Sequence, residues 1–147
     1  MASMARNTRS FYLINQVHSA VRLRLERTLR EFNLTVSQYT VMSRIKGREI
    51  LSSAQLARHH HVSPQTMNQL IANLEMRGLL SRKEDPENRR VLLVSLTPAG
   101  SDLLAACDRK VDGLEIDFFS SFDPADHETL RKLLNVLIED IRRNAAA

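Results

Sequence analysis

Apolar residues recur every three or four positions along most of this chain, the spacing of one face of an α-helix. Ile14, Val17, Val21 and Leu25 form such a face in a first helix over residues 8–31. Three short helices are predicted next, over 37–46, 53–59 and 64–77, the last with Met67, Leu70, Ile71 and Leu74 toward a core. Then the period changes. "LLSRKE", the turn "DPEN" and "RRVLLVSL" read as a β-hairpin. Two long helices over 98–120 and 124–143 close the chain, the second striped by Leu130, Leu134, Leu137 and Ile141.

Polar residues mark where these elements start. "TVSQ" from Thr35 and "SSAQ" from Ser52 are capping boxes, a hydroxyl followed three residues later by a glutamine. Ser63-Pro64, Thr97-Pro98 and Asp123-Pro124 each place a cap residue before a proline suited to the first helical position. Gly78 stops the fourth helix, and Pro86 lies in the hairpin turn. The short helices and the hairpin together make a helix-turn-helix followed by a β-wing.

Composition narrows the class. The 147 residues are 43% hydrophobic and 26% charged, as in one ordinary globular domain. Uncharged stretches are too short to span a bilayer, and "MASMARNTRS" lacks the apolar run of a secretory signal. Cys107 is the single cysteine, so no intrachain disulfide forms and a cytoplasmic location is expected. Charge is uneven. Residues 1–97 carry 15 Lys/Arg against 7 Asp/Glu (net +8), and residues 98–147 carry 6 against 10 (net −4). A basic front suits a polyanion.

The helix over 64–77 turns Gln65, Thr66, Asn68, Gln69 and Asn73 away from its apolar side. Amides can hold adenine through two hydrogen bonds, and hydroxyls such as those of Ser37, Ser63 and Thr66 serve bases or phosphates. A helix start also offers free N–H groups to a phosphate. On the hairpin, Arg82 and Lys83 suit flanking phosphates, and Arg89 and Arg90 suit a narrow minor groove.

The stretch "LSSAQLARHHHVSPQTMNQLIANLEMRGLLSRKEDPENRRVLLVSLTPAG", above all "RGLLSRKEDPENRRVLLVSLTPAG", resembles the winged-helix core of the MarR family of bacterial transcription regulators. "FNLTVSQYTVMSRI" resembles the family's second-helix region. The resemblance implies a mainly α fold with a small β-wing, a winged helix-turn-helix joined to a helical dimerisation region. Residues 1–33 and 98–147 would be dimerisation helices, and 34–97 the DNA-binding domain. It also implies a homodimer on a pseudo-palindromic operator in double-stranded DNA, acting as a repressor released by a small aromatic or carboxylate effector. One position departs from the family. Its wing often reads Asp-x-Arg, the aspartate steadying the groove-entering arginine; here Asn88 stands in that place and would hydrogen-bond the Arg90 guanidinium without charge assistance, with Asp85 as a substitute anchor.

His59, His60 and His61 form a consecutive run. Consecutive helical residues fan out by about 100° each, so they cannot converge on one ion. No metal site is expected. His61 falls at the turn, where a positive φ is tolerated by histidine better than by most residues. His59 and His60 would lie at a helix end, where partial protonation suits the dipole. His18 lies on the first helix beside Asn15 and Arg22. Arg22 could pair with a carboxylate while His18 and Asn15 bind its oxygens, with Ser10 or Tyr12 closing the site. Buried in a dimer core, His18 would instead be a satisfied structural residue. Cys107 reads as a core thiol. No convergent acid, base or nucleophile set is present, so no enzyme and no cofactor are expected. The alternative regulator is an architectural DNA-binding protein without effector sensing.

Overall fold

Helix starts are set by short polar side chains that take up free backbone N–H groups. In the computed structural model, which describes residues 9–46 and 51–145, Thr35 Oγ1 accepts from Gln38 N (3.1 Å). Gln38 Oε1 accepts from Thr35 N (3.0 Å), and the pair opens α2 (Val36–Lys46). Ser52 and Gln55 do the same for α3 (Ser53–His59), and Ser63 accepts from Thr66 N to start α4 (Pro64–Met76). Thr97 and Asp123 cap α5 (Pro98–Phe118) and α6 (Pro124–Ala145). The first helix, α1 (Ser10–Leu29), has no side-chain cap. Thr8, where it was expected to begin, lies outside the described residues.

Helix ends follow one rule three times. A residue in the left-handed region reverses the chain while two N–H groups reach back to the last carbonyls. After α4 the residue is Gly78 (φ 72), with Gly78 N on Glu75 O and Leu79 N on Leu74 O. After α3 it is His61 (φ 53), with His61 N on Arg58 O and Val62 N on Ala57 O. After a 3-10 turn at Arg30–Phe32 it is Asn33 (φ 53). The last turn of the expected first helix is therefore 3-10, and its asparagine stop was not read from the sequence.

The hairpin forms as β2 (Leu80–Asp85) and β3 (Asn88–Leu96), antiparallel from Leu80↔Leu96 to Asp85↔Asn88 with an irregularity between Glu84 and Asp85. A two-residue strand, β1 (Leu51–Ser52), adds to the other edge, giving the order β1-β3-β2. At that length it has no period to detect. The chain is mainly α with a small β-wing, a winged helix.

The chain divides into two compact units, residues 1–111 and 112–147. In the first, Leu29, Met42, Leu56, Met67, Ile71, Leu74, Leu80, Val94 and Leu104 are fully buried. The first half of α5 belongs here, through Leu104 and Cys107, so the boundary between the two units falls inside α5. On α1 only the C-terminal end of the apolar stripe is covered. Leu29 is buried and Leu25 packs against the core, while Ile14 and Val17 are 47% and 54% exposed. In the second unit Leu134, Leu137 and Ile141 of α6 are exposed. There Phe119 stacks on the His127 ring at 4.2 Å, and an open cavity of about 650 Å³ lies beside them, lined also by Ile116, Phe122 and Arg131. Among the described residues, no helix is long and apolar enough to cross a membrane.

α4, the wing and α5 meet at one junction. Thr97 Oγ1 donates to Gly78 O (2.6 Å) and accepts from Gly100 N (3.0 Å), and Thr97 N donates to Leu79 O (3.1 Å). A β-carbon on Gly100 would sit 2.0 Å from Leu79 O. Gly100→Ala should therefore lower unfolding free energy by about 2–3 kcal/mol, seen as a lower urea midpoint at unchanged slope. An unchanged midpoint would show that the junction gives way freely.

Candidate nucleic-acid interface

The exposed side of α4 is polar and uncharged for three turns because its apolar positions are spent on the core. Met67, Ile71 and Leu74 are buried and Leu70 is half-buried, while Gln65, Thr66, Asn68, Gln69 and Asn73 are exposed. Ser63, also exposed, hydrogen-bonds Thr66 Oγ1 (2.9 Å) as well as its N–H. Asn68 Oδ1 meets Ser53 Oγ at 2.6 Å, and Asn73 Oδ1 accepts from Gln38 Nε2 at 3.0 Å. Both asparagines are thus oriented by the starts of other helices. Gln65 and Gln69 have no side-chain partner among the described residues. Ser37 stands exposed in the first turn of α2.

On the wing, Lys83, Arg89 and Arg90 are exposed. Arg82 is engaged within the chain. Its guanidinium grips Glu75 of α4 with two bonds, Nε to Oε2 at 3.2 Å and Nη2 to Oε1 at 3.0 Å. The charge-assisted bonds from Arg82 hold the Glu75 carboxyl below its ordinary range, and Glu75 raises Arg82 in return. This pair fixes the wing to the recognition helix.

The turn corrects two expectations about Arg90. Asn88 Oδ1 accepts from the backbone N–H of Arg90 (3.2 Å), not from its guanidinium. Asp85 Oδ1 accepts from Glu87 N (3.0 Å) and shapes the turn instead of anchoring Arg90. Short side chains at a two-residue turn are drawn to the nearest free N–H groups. The Arg89 and Arg90 side chains are left without a partner among the described residues.

The histidine run is the helix-turn-helix turn itself. His61 takes the left-handed position, as its tolerance of positive φ predicts. His59 packs edge-on against His60, with centroids 5.2 Å apart. The protonation expected of His60 is disfavoured, because burial first and then Arg44 lower its pKa from the ordinary 6.5. Its Nε2 is buried without a partner among the described residues. There, too, no group of three or more His, Cys, Asp or Glu could hold a metal ion.

The α1 candidates are all exposed: Ser10, Tyr12, Asn15, His18 and Arg22. Asn15, His18 and Arg22 follow helical spacing along one side. Arg22 pairs with Glu26 (3.1 Å) and Tyr12 Oη accepts from Gln16 (2.9 Å), so two of the five are already engaged along the helix. Cys107 is fully buried, and burial pushes its thiol up to about 11, as befits a core thiol.

Sequence reasoning missed the supporting residues. Gln38 and Ser53 orient α4 amides, and Glu75 takes up Arg82. Arg77 Nη1 donates to Asn33 O (2.8 Å), tying the end of α4 to the turn before α2. The capping box flagged Gln38, but its free amide nitrogen reaches 35 residues along the chain.

A helix-turn-helix with an amide-rich second helix and an arginine-tipped wing defines a winged-helix DNA-binding protein. Residues 34–92 match the MarR family. The chain is 26% identical over 129 residues to the HTH-type transcriptional repressor Rv2887 of Mycobacterium tuberculosis, covering 88% of this chain and 93% of that one. It is 26% identical over 135 residues to the transcriptional regulator HosA of Escherichia coli, covering 92% and 98%. A crystal structure of MarR superposes with a TM-score of 0.87 at 26% identity over 97% of both chains. A mutant Escherichia coli MarR complexed with operator DNA superposes at 0.77 and 22% identity, over 86% and 91%. Residues 34–92 thus carry a MarR-family domain, and relatives that match most of the chain are named as a transcriptional repressor and a transcriptional regulator.

The lowered His60 pKa has a signed consequence. The unfolded chain takes up a proton near pH 6.5 that the folded chain resists, so stability falls as pH drops below about 6.5 and levels off below the folded value. His60→Phe should flatten the fall in urea midpoint between pH 7.5 and 5.5. An identical fall in both proteins would show that His60 titrates normally.

Proposed function

We propose that this chain is a homodimeric operator-binding repressor in the cytoplasm, released by a small aromatic or carboxylate effector. The carrying observation is the uncharged amide and hydroxyl face of α4 beside a wing whose Arg89 and Arg90 are unspent. The α4 face suits base edges in the major groove, and arginines suit the adjacent minor groove. Ser37, Ser63 and Lys83 suit the flanking phosphates. Arg82 contributes by holding the wing. The uncovered apolar faces of α1 and α6 support dimerisation, which would place two α4 helices about one helical turn apart on a symmetric site. A relative named as a repressor supports the sign of regulation.

Gln69→Ala should weaken operator binding about tenfold or more and relax preference at one symmetric pair of positions, read by gel shift against a base-substituted set. Arg90→Ala should weaken binding and lower the salt slope by about 1. Equal competition by operator and random DNA would instead mean an architectural protein.

For the effector, Arg22 can exchange Glu26 for a ligand carboxylate, with His18 and Asn15 beside it and Ser10 or Tyr12 at the edge. A thermal-shift screen of small aromatic acids identifies ligands, and release from operator then tests the site. His18→Ala and Arg22→Ala should each abolish release while leaving operator binding within about twofold. Intact release in both variants would move the effector site off α1.

A further inference from the structure

The amide of Asn73 has a fixed polarity, and this follows from a chain of donors with one free choice at no step. The Thr35 backbone N–H can only donate, and it donates to Gln38 Oε1 (3.0 Å). That fixes the Gln38 amide, so its Nε2 is the atom that faces Asn73 at 3.0 Å. An NH2 group can only donate, so Asn73 must present Oδ1 to it. Asn73 is exposed on α4, and its remaining polar group, the NH2, is the one free to face a ligand. Asn68 differs. Its partner is the Ser53 hydroxyl, which can donate or accept, so the Asn68 amide keeps both orientations.

We infer that Gln38 is a positioning residue that locks Asn73 with its NH2 outward, making this point of α4 a reader of hydrogen-bond acceptors on DNA. The inference rests on the operator-binding reading above. It revises the expectation that every amide of α4 suits adenine, because a two-bond adenine contact needs Oδ1 and Nδ2 side by side toward the base. An outward NH2 matches guanine O6 or N7, adenine N7, thymine O4, or a phosphate oxygen. It does not match the amino groups of adenine N6 or cytosine N4.

Gln38→Glu tests this without removing the helix cap. Glutamate is itself a capping-box residue, and one carboxylate oxygen still accepts from Thr35 N. Its second oxygen is an acceptor, so Asn73 must turn over, donate to it and present Oδ1 outward. Operator binding and base preferences of the wild type, Gln38→Glu, Asn73→Ala and the double variant are measured by selection from random duplexes and by gel shift. Circular dichroism melts check the fold.

A base contact predicts that Gln38→Glu weakens operator binding about tenfold or more and moves preference at one position per half-site toward adenine or cytosine, whose amino groups an outward Oδ1 can accept from, and away from guanine or thymine, which present none. A phosphate contact predicts unchanged preferences and a loss from Gln38→Glu that shrinks at least threefold in the Asn73→Ala background. The inference is overturned if preferences stay unchanged and that loss is equal in both backgrounds, since the added charge alone would then explain it. A wild type that selects no motif would contradict the operator-binding reading itself, and with it this inference.

Discussion

The fold turns on one hydroxyl. Thr97 Oγ1 bonds the carbonyl that ends α4 and the N–H that begins α5, while the Thr97 backbone holds the residue leading into β2. Three elements converge there, and only a glycine at position 100 lets α5 approach Leu79 O so closely. The angle between recognition helix and wing is set at this point. The Arg82–Glu75 pair sets it a second time from the solvent side. Two independent ties hold that one angle, as the proposed placement of helix and wing tip in adjacent grooves would need.

A second constraint is what the single chain leaves uncovered. Phe11 is 86% exposed and Ile116 is 71% exposed, and the apolar stripes of α1 and α6 are open for most of their length. Exposed apolar area on this scale marks an interaction surface. By contrast, the exposed side of α4 is polar without charge, so on the proposed function it can lie against base edges without burying an unpaired ion. The apolar and the polar exposed faces therefore lie on different segments, and α5 enters the core of the first unit through Leu104 and Cys107.

Much of this was legible in the sequence because its signals are local. Capping boxes, prolines after cap residues, Gly78 and the histidine at the turn all act within a few residues, and each lies where expected. The exposed face of α4 followed from helical period alone. What escaped was long in range or very short in length. β1 has two residues, Asn33 ends a 3-10 turn that periodicity reads as helix, and Arg82 and Asn73 find partners on other elements. The roles given to Asp85 and Asn88 failed for the opposite reason. They were expected to reach for a guanidinium, and nearer backbone N–H groups took them first. His60 was placed correctly at the end of α3, but its burial, which lowers its pKa, is a tertiary property.

Hydroxyl-radical footprinting of the protein on a selected operator tests the central claim, that α4 and the wing read DNA as a symmetric pair. The account predicts protection related by a two-fold axis, with major-groove contacts centred about one helical turn apart and wing contacts in the flanking minor grooves. Arg90→Ala should erase the outer minor-groove protection and leave the centre. A single asymmetric footprint, or uniform protection with no preferred register, would contradict it.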